Sequence, residues 1–485
     1  MRHRALYLAC LLAFPAFVAG QTPLPNPLAQ YISVDAPVVA LEHVEVIDGT
    51  GGPAKADQTI VMDHGKIAEV GPAVSTTVPA GARVMDLTGH TVYPGLVGMH
   101  EHLFYPTPEG GPGRLALYGE MADSAPRLYL AGGVTSARTT GSIEEYTDIS
   151  VKHLIDAGKI PGPELFLTSP YLEGVGAYTP NMHELTGPDD AKRMVDYWAT
   201  EGITSYKAYM HITPAELKAA VDAAHALGLK VTGHLCAVGF KEAAALGLDN
   251  LEHGLVVDTE FYPGKKVGVC PDWRKAVEAL AKMDVEGPQI QGTIKDLIAH
   301  HVAVTSTLAV FEVDVPNRPP LSYETQVRDA MTPDAWGAYV TTRAMIAERA
   351  AKSPWPWGKM LKMEMEFEHD FAKDGGLLMA GCDPTGPGGV VPGYCDEREL
   401  ELLVEAGFTP VEAIHIATEN GAKWLGEEQH FGTIAVGKQA DLVVVKGDVD
   451  KNIDAVENVE TVFKKGVGFD SEKLRDSVRG LVGLR

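Results

Sequence analysis

The sequence predicts an α/β protein: a (β/α)8 TIM barrel with a small β-sandwich domain assembled from both ends of the chain. Three observations support this. Residues 95–426 repeat a strand, loop and helix pattern, residues 37–94 and 427–485 carry short alternating strands punctuated by glycine, and the candidate metal ligands fall at the ends of the central strands. At 485 residues the chain exceeds what one core normally absorbs, which fits a large domain with a smaller appendage. A doubly wound sheet is the alternative for the middle.

Taken in order, residues 1–20 have Arg2 and Arg4, an apolar run from Ala5 to Val18, and small residues Val18 and Gly20 before Gln21. That is the pattern of a secretory signal peptide. The expectation is a secreted or periplasmic protein with no membrane insertion after signal removal, because the run is short for a span. Residues 21–36, rich in Pro, Leu and Asn, read as a linker or surface strap. Val38–Asp48 then alternates apolar and polar residues, with further strands at Thr59–Val70 and Val84–Leu87. Their counterparts lie at the far end, in Gly432–Lys446 (GTIAVGKQADLVVVK) and Thr461–Val467. Hence one small domain drawn from both termini.

Central strands are expected at Leu96–Met99, Val134–Arg138, Leu165–Thr168, Ser205–Tyr209, Val231–His234, Leu251–His253, Ala303–Leu308 and Leu377–Asp383. Two helices announce their own starts. Thr213-Pro214-Ala215-Glu216 and Thr409-Pro410-Val411-Glu412 each place a capping hydroxyl, a proline at the first helical position and a carboxylate three residues after the cap. Segments 256–301 and 311–375 are too long for simple connections and are expected to act as caps or specificity elements.

Lys and Arg number 41 against 65 Asp and Glu, a net charge of -24, so phosphate backbones and anionic lipid are poor partners and no nucleic acid is expected. Four cysteines follow the signal region, too few for a disulfide scaffold of this length. Cys382 with Cys395 is a conceivable loop staple, with free buried thiols the alternative. Self-association into a homo-oligomer stays open.

The chemistry concentrates in Thr91–Tyr105, TVYPGLVGMHEHLFY. Side chains alternate along a strand, so His100 and His102 share a face with Glu101 turned away, and paired imidazoles on a rigid strand suit a divalent metal. A bare His-x-His is also compatible with an ordinary polar strand end. What changes the balance is the set of partners at other strand ends: Lys207 in SYKAY, His234 in VTGHL, His253 in LEHG and Asp383 in MAGCDP. Each alone has a structural reading, a hydrogen-bonded histidine, a snorkelling lysine or an Asp-Pro turn. Six potential ligands on one face of one barrel are not explained that way.

With VYPGLVGMHEH, Lys207, His234, His253, Asp383 and the closing GTIAVGKQADLVVV on the page, the chain resembles the amidohydrolase superfamily, in its subgroup with a two-metal centre and a carboxylated lysine. The resemblance implies that His100, His102 and Asp383 hold one ion, that His234 and His253 hold another, and that a carbamate on Lys207 (N6-carboxylysine) bridges them. It implies two divalent metal ions, with Zn2+ expected, and metal-activated hydroxide attacking an amide while Asp383 moves the proton to the leaving amine. LKVTGHL, NLEHG and DPTGPGGV are most similar to the branch of imidazolonepropionase-like hydrolases and prolidase-like or ochratoxin-hydrolysing metallo-dipeptidases. Relatives there often carry an Arg-Asp pair after the second strand, whereas this chain has Arg138-Thr139-Thr140. Arg138 is therefore a candidate either for a substrate carboxylate or for a structural salt bridge. Tyr178, His183, Tyr209 and His211 are further candidates for substrate binding. The leading expectation is a metal-dependent hydrolase of dipeptides or N-acyl amino acids. Cyclic amide or lactone hydrolysis uses the same centre, and a non-catalytic periplasmic binding protein is the reading from another class.

Overall fold

The structure, a computed structural model, describes residues 26–106 and 117–483. The signal peptide expected at residues 1–20 lies outside the described residues. Six strands open the described chain: β1 (Ile32–Val34), β2 (Val38–Val46), β3 (Lys55–Asp63), β4 (Lys66–Pro72), β5 (Arg83–Asp86) and β6 (His90–Pro94). The middle carries β7 (Leu96–Glu101), β8 (Phe104–Pro106), β9 (Tyr118–Glu120), β10 (Val134–Thr139), β11 (Glu164–Leu167), β12 (Ser205–Ala208), β13 (Lys230–Gly233), β14 (Asn250–Glu252), β15 (Ala303–Ser306) and β16 (Leu378–Ala380). Three more close the chain: β17 (Leu442–Lys446), β18 (Val459–Lys464) and β19 (Val467–Asp470).

The terminal strands join one sheet in the order β1-β19-β18-β17-β6-β2-β3-β4, with β5 beside β2. β17 is the seam between the two ends of the chain, antiparallel to β6 on one side and to β18 on the other. Its run LVVVK shows why it must be apolar on both faces. Leu442 and Val444 enter the core of the terminal sheet with Val39, Leu41, Ile60 and Phe463, while Val443 and Val445 enter the core of the central domain. Alternation of side chains along a strand sends them to these two cores in turn. The sequence expectation was a sandwich; the strands in fact share one nine-stranded sheet, because β17 pairs on both edges and so continues the hydrogen bonding across both ends of the chain. That sheet curls enough for its turns at Gly65 and Gly466 to touch, a Cβ on Gly466 falling 2.7 Å from Gly65 Cα. β1 lies inside the segment read as a linker, where Ile32 and Val34 pair with β19.

A strand stands at each of the eight central positions. β11, β10 and β7 form one parallel sheet, and β12, β13, β14, β15 and β16 form another. Hydrogen bonds pass between the two at both margins. Thr204 N donates to Leu167 O at 2.9 Å and Ser169 N to Ser205 O at 3.0 Å on one side, and Asp383 N donates to His100 O at 2.9 Å on the other. Every residue of β7, β10 and β12 is buried, as parallel strands covered on both faces require.

Both helix starts read from sequence carry complete capping boxes, Thr213 with Glu216 and Thr409 with Glu412. The long segments hold helices of their own, Trp273–Leu280 and Pro288–Ala299 in the first, and Leu321–Ala330, Pro333–Lys352 and Trp357–Lys373 in the second. Disulfides join Cys236 to Cys270 and Cys382 to Cys395. The second is the conceivable staple; the first was not foreseen. No helix of the described residues is long and apolar enough to cross a membrane.

One glycine fixes how closely β16 approaches β7. A Cβ on Gly381 would lie 2.2 Å from His100 N and 2.7 Å from His100 Cα, and neither backbone atom has room to retreat. Gly381→Ala is therefore expected to cost at least about 1–3 kcal/mol, the usual range for overpacking, and to displace His100. Denaturant unfolding measures this, and an unchanged midpoint would contradict the close approach.

Candidate metal centre

Five strands deliver six side chains to one cavity of 240 Å³, lined by His100, His102, Lys207, His234, His253 and Asp383 together with aromatic residues. His100 belongs to β7 and His102 follows it, while Glu101 points the other way, its carboxylate accepting from Cys382 N at 3.3 Å. The backbone at His102 is pinned by Tyr129, whose hydroxyl accepts from His102 N at 3.1 Å and donates to His102 O at 2.9 Å. Lys207 lies in β12, His234 follows β13, His253 follows β14 and Asp383 follows β16. His253 (φ 63°) and Asp383 (φ 50°) both adopt left-handed backbone. That conformation costs non-glycine residues about 1–3 kcal/mol and tends to persist where side-chain aim matters.

The donor atoms converge. Asp383 Oδ1 is 3.4 Å from His102 Nε2, and Asp383 Oδ2 is 3.8 Å from His100 Nε2 and 3.7 Å from His253 Nε2. His234 Nδ1 faces His253 Nε2 at 3.0 Å. The opposite nitrogens of two rings are already engaged, His102 Nδ1 donating to Gly141 O at 3.0 Å and His253 Nδ1 lying 2.6 Å from Thr307 Oγ1. His100 Nδ1 lies 2.9 Å from Glu252 Oε2. Such outer contacts fix ring orientation and leave the inner lone pairs for a cation. Among the described residues, His100, His253 and Asp383 form one of two groups compact enough to hold a metal ion. The other is Cys382, Cys395 and Asp396, whose two sulfurs are joined to each other.

Burial sets the charge states. It lowers His100 to about 4 and His234 to about 3, with Lys207 adding to both effects, and it holds His253 well below the usual histidine range. All three are neutral imidazoles, the form that ligates metal. Burial also lowers Lys207 to about 8, against the pull of Glu252 and Asp383. Burial pushes the Asp383 carboxyl up, but His100, His102 and His253 hold it well below the ordinary carboxylate range. Neutral nitrogens beside an anionic carboxylate form a donor set that fits a divalent ion.

Of the proposed substrate residues, Tyr178 and Tyr209 line this cavity. Tyr209 O–H donates toward the Tyr178 oxygen at 3.4 Å, and the Tyr209 ring packs on His234 with centroids 5.1 Å apart. Arg138, His183 and His211 are not among its lining residues. Arg138 is fully buried, donates to Glu252 Oε1 at 2.6 Å and to Met99 O at 2.8 Å, and stacks on Trp424. Its guanidinium is spent inside the core, so the substrate-carboxylate role is replaced by the structural salt bridge. His183 pairs with Asp190 at 2.9 Å and His211 with Glu173 at 3.0 Å, so each imidazole is drawn to a neighbouring carboxylate.

Sequence reasoning missed most of the cavity wall. Phe311 packs edge-on against His253 with centroids 5.2 Å apart and stacks on Trp357 at 6.1 Å, and Trp273 and Asp314 complete that side. All four come from the two long segments, and the only signal for them was segment length. Glu252, packed beneath the histidines, was also missed. Its position immediately before His253 was the available clue.

Residues 370–467 match the amidohydrolase family. A dihydroorotase of Pelotomaculum thermopropionicum is 25% identical over 84% of this chain and 89% of its own length. A solved Xaa-Pro dipeptidase with methionine bound in its active site superposes with a TM-score of 0.64 at 21% identity, covering 89% of this chain and 100% of that one. A putative prolidase from Bifidobacterium longum superposes at 0.62 with 24% identity, covering 91% and 98%. The match to the amidohydrolase family thus covers residues 370–467, and over most of its length the chain has the fold of these solved structures.

Proposed function

We propose that this protein hydrolyses the amide bond of dipeptides or N-acyl amino acids at a centre of two divalent ions, with zinc as the expected metal. The observation that carries the reading is the convergence of four buried histidines, Lys207 and Asp383 on one cavity. In this reading His100, His102 and Asp383 would hold one ion and His234 and His253 the other, with a carboxylated Lys207 as the ligand they would share. The eight central strands act as one (β/α)8 barrel, which explains why all six residues lie at strand ends. Bound there, divalent ions would supply an activated water and a polarised carbonyl.

The chain's own residues account for the remaining chemistry. A lysine lowered to about 8 is neutral about one time in ten at pH 7, far more often than an ordinary lysine, and its amine lone pair adds to carbon dioxide with loss of one proton, giving an anionic carbamate. Asp383, kept ionised beside three imidazoles, accepts the proton of the attacking water and returns it to the departing amine nitrogen. Tyr178 and Tyr209 border the space for the acyl group, and the aromatic wall excludes water from it.

Likeness to dihydroorotase over most of the chain favours a second reading, a cyclic amide substrate at the same centre. The pattern at residues 1–20 supports export to the periplasm or beyond, and the carboxylate-rich surface supports a small-molecule partner over nucleic acid.

Purified protein prepared with zinc and bicarbonate is expected to hold about two ions per chain, and Lys207→Ala should lose most of them. Elemental analysis decides, and unchanged metal content in the variant would remove the bridging role. Asp383→Asn keeps an oxygen but not the base, so turnover should fall at least about a hundredfold, the low end for acid–base catalysis. Turnover within a few-fold of the parent, with metal retained, would assign the proton to another group.

A further inference from the structure

We propose that Asp314 and the aromatic surface beside it form a subsite for a cationic group of the substrate, an alkylammonium or guanidinium. The proposal rests on the amide-hydrolase reading and names the substrate class for that site. Asp314 lines the cavity shared with the metal-centre residues, on the side made by Trp273, Val310, Phe311 and Trp357. It sits just beyond the short Leu308–Glu312 helix, where Asp314 N donates to Phe311 O at 3.2 Å and so keeps the two residues in one turn. Trp355 Nε1 donates to Asp314 O at 2.8 Å, and Arg343 donates to the flanking carbonyls of Val313 and Val315 at 2.6 and 3.0 Å. The segment is therefore held rigidly.

Its carboxylate is not paired. Among the described residues it accepts no hydrogen bond and has no cation within 4.0 Å; Arg343, the nearby guanidinium, is occupied by the two carbonyls and lies 3.7 Å from Glu324. Among the described residues, apart from Lys207 at the metal centre, no lysine or arginine lines the cavity. A partly buried carboxylate whose nearby guanidinium is spent on other partners is costly, and a cation arriving with the substrate offsets that cost. The neighbouring rings favour the same charge. Phe311 and Trp357 stack with their planes 12° apart, Trp273 stands 6.3 Å from Trp357, and all three line the cavity, an aromatic wall that suits an ammonium or guanidinium. Because Phe311 also packs on His253, the cation would lie close to the scissile amide. A free carboxylate in that position would meet Asp314 instead of a partner.

Two sources fit this chemistry, the α-ammonium of an N-terminal residue and the side chain of a lysine or arginine. Binding of four probes to the full-length zinc-loaded protein separates them: L-lysinamide, L-norleucinamide, Nα-acetyl-L-lysinamide and Nα-acetyl-L-norleucinamide, followed by calorimetry. At least one cation-bearing probe is expected to bind about tenfold or more tightly than the neutral one, the scale of a hydrogen bond to a charged group. Norleucinamide holding the advantage identifies the α-ammonium, and Nα-acetyl-lysinamide the side chain. Asp314→Asn should bring the ratio within twofold while metal content is retained. Four probes binding alike to the parent protein, or a ratio unchanged in the variant, would overturn the subsite. The parent comparison does so even if the variant fails to fold. A cation preference in binding with no amide hydrolysed by the parent would support the subsite and count against the amide reading alone.

Discussion

Glu252 is the buried carboxylate on which the centre depends. It has no exposure, and its oxygens reach four elements: Arg138 of β10 at 2.6 Å, Thr232 of β13, Asn250 of its own strand at 2.8 Å, and His100 Nδ1 of β7 at 2.9 Å. Burial pushes this carboxyl up, but Arg138, Lys207 and His100 hold it well below the usual range. It is therefore an anion in the middle of the parallel strands. Breaking a buried pair of this kind by removing one partner costs about 3–5 kcal/mol, because the other charge is left uncompensated. The Arg138 to Glu252 pair thus positions His100 from beneath, and β7 cannot shift relative to β14 without breaking it.

This arrangement also explains what was legible in the sequence. The eight central strands, the alternating strands at both termini and both capping boxes could be read because each has a local signature: an apolar run, strict alternation, or a hydroxyl, proline and carboxylate at fixed spacing. His100 and His102 were readable for the same reason, since strand parity puts them on one face. Arg138 was not. β10 is buried at every position, so no polar and apolar alternation tells which way its arginine points, and an inward salt bridge looks the same in sequence as a substrate anchor. His183 and His211 were drawn away by Asp190 and Glu173, with Glu173 separated from His211 by 38 residues. The Cys236 to Cys270 link spans 34 residues and had no local mark either.

The cavity wall follows the same division between local and tertiary information. Strand ends supply the polar residues at the bottom of the cavity, and the insertions after β14 and β15 supply Trp273, Asp314 and Trp357 of its wall. A scaffold of parallel strands can keep the first set fixed while the second varies with the inserted helices. The buried Cys382 to Cys395 link adjoins Asp383, and by joining its two sulfurs it withdraws them from competition for a soft metal.

The central claim is that the nitrogen and oxygen atoms at the strand ends, and not the cysteine pair, bind the metal. X-ray absorption at the zinc edge of the zinc-loaded protein tests it most directly. The expected result is a shell of nitrogen and oxygen ligands at about 2.0–2.2 Å with the outer scattering of imidazole rings. A sulfur shell at about 2.3 Å would place the metal at Cys382 and Cys395 and contradict the account.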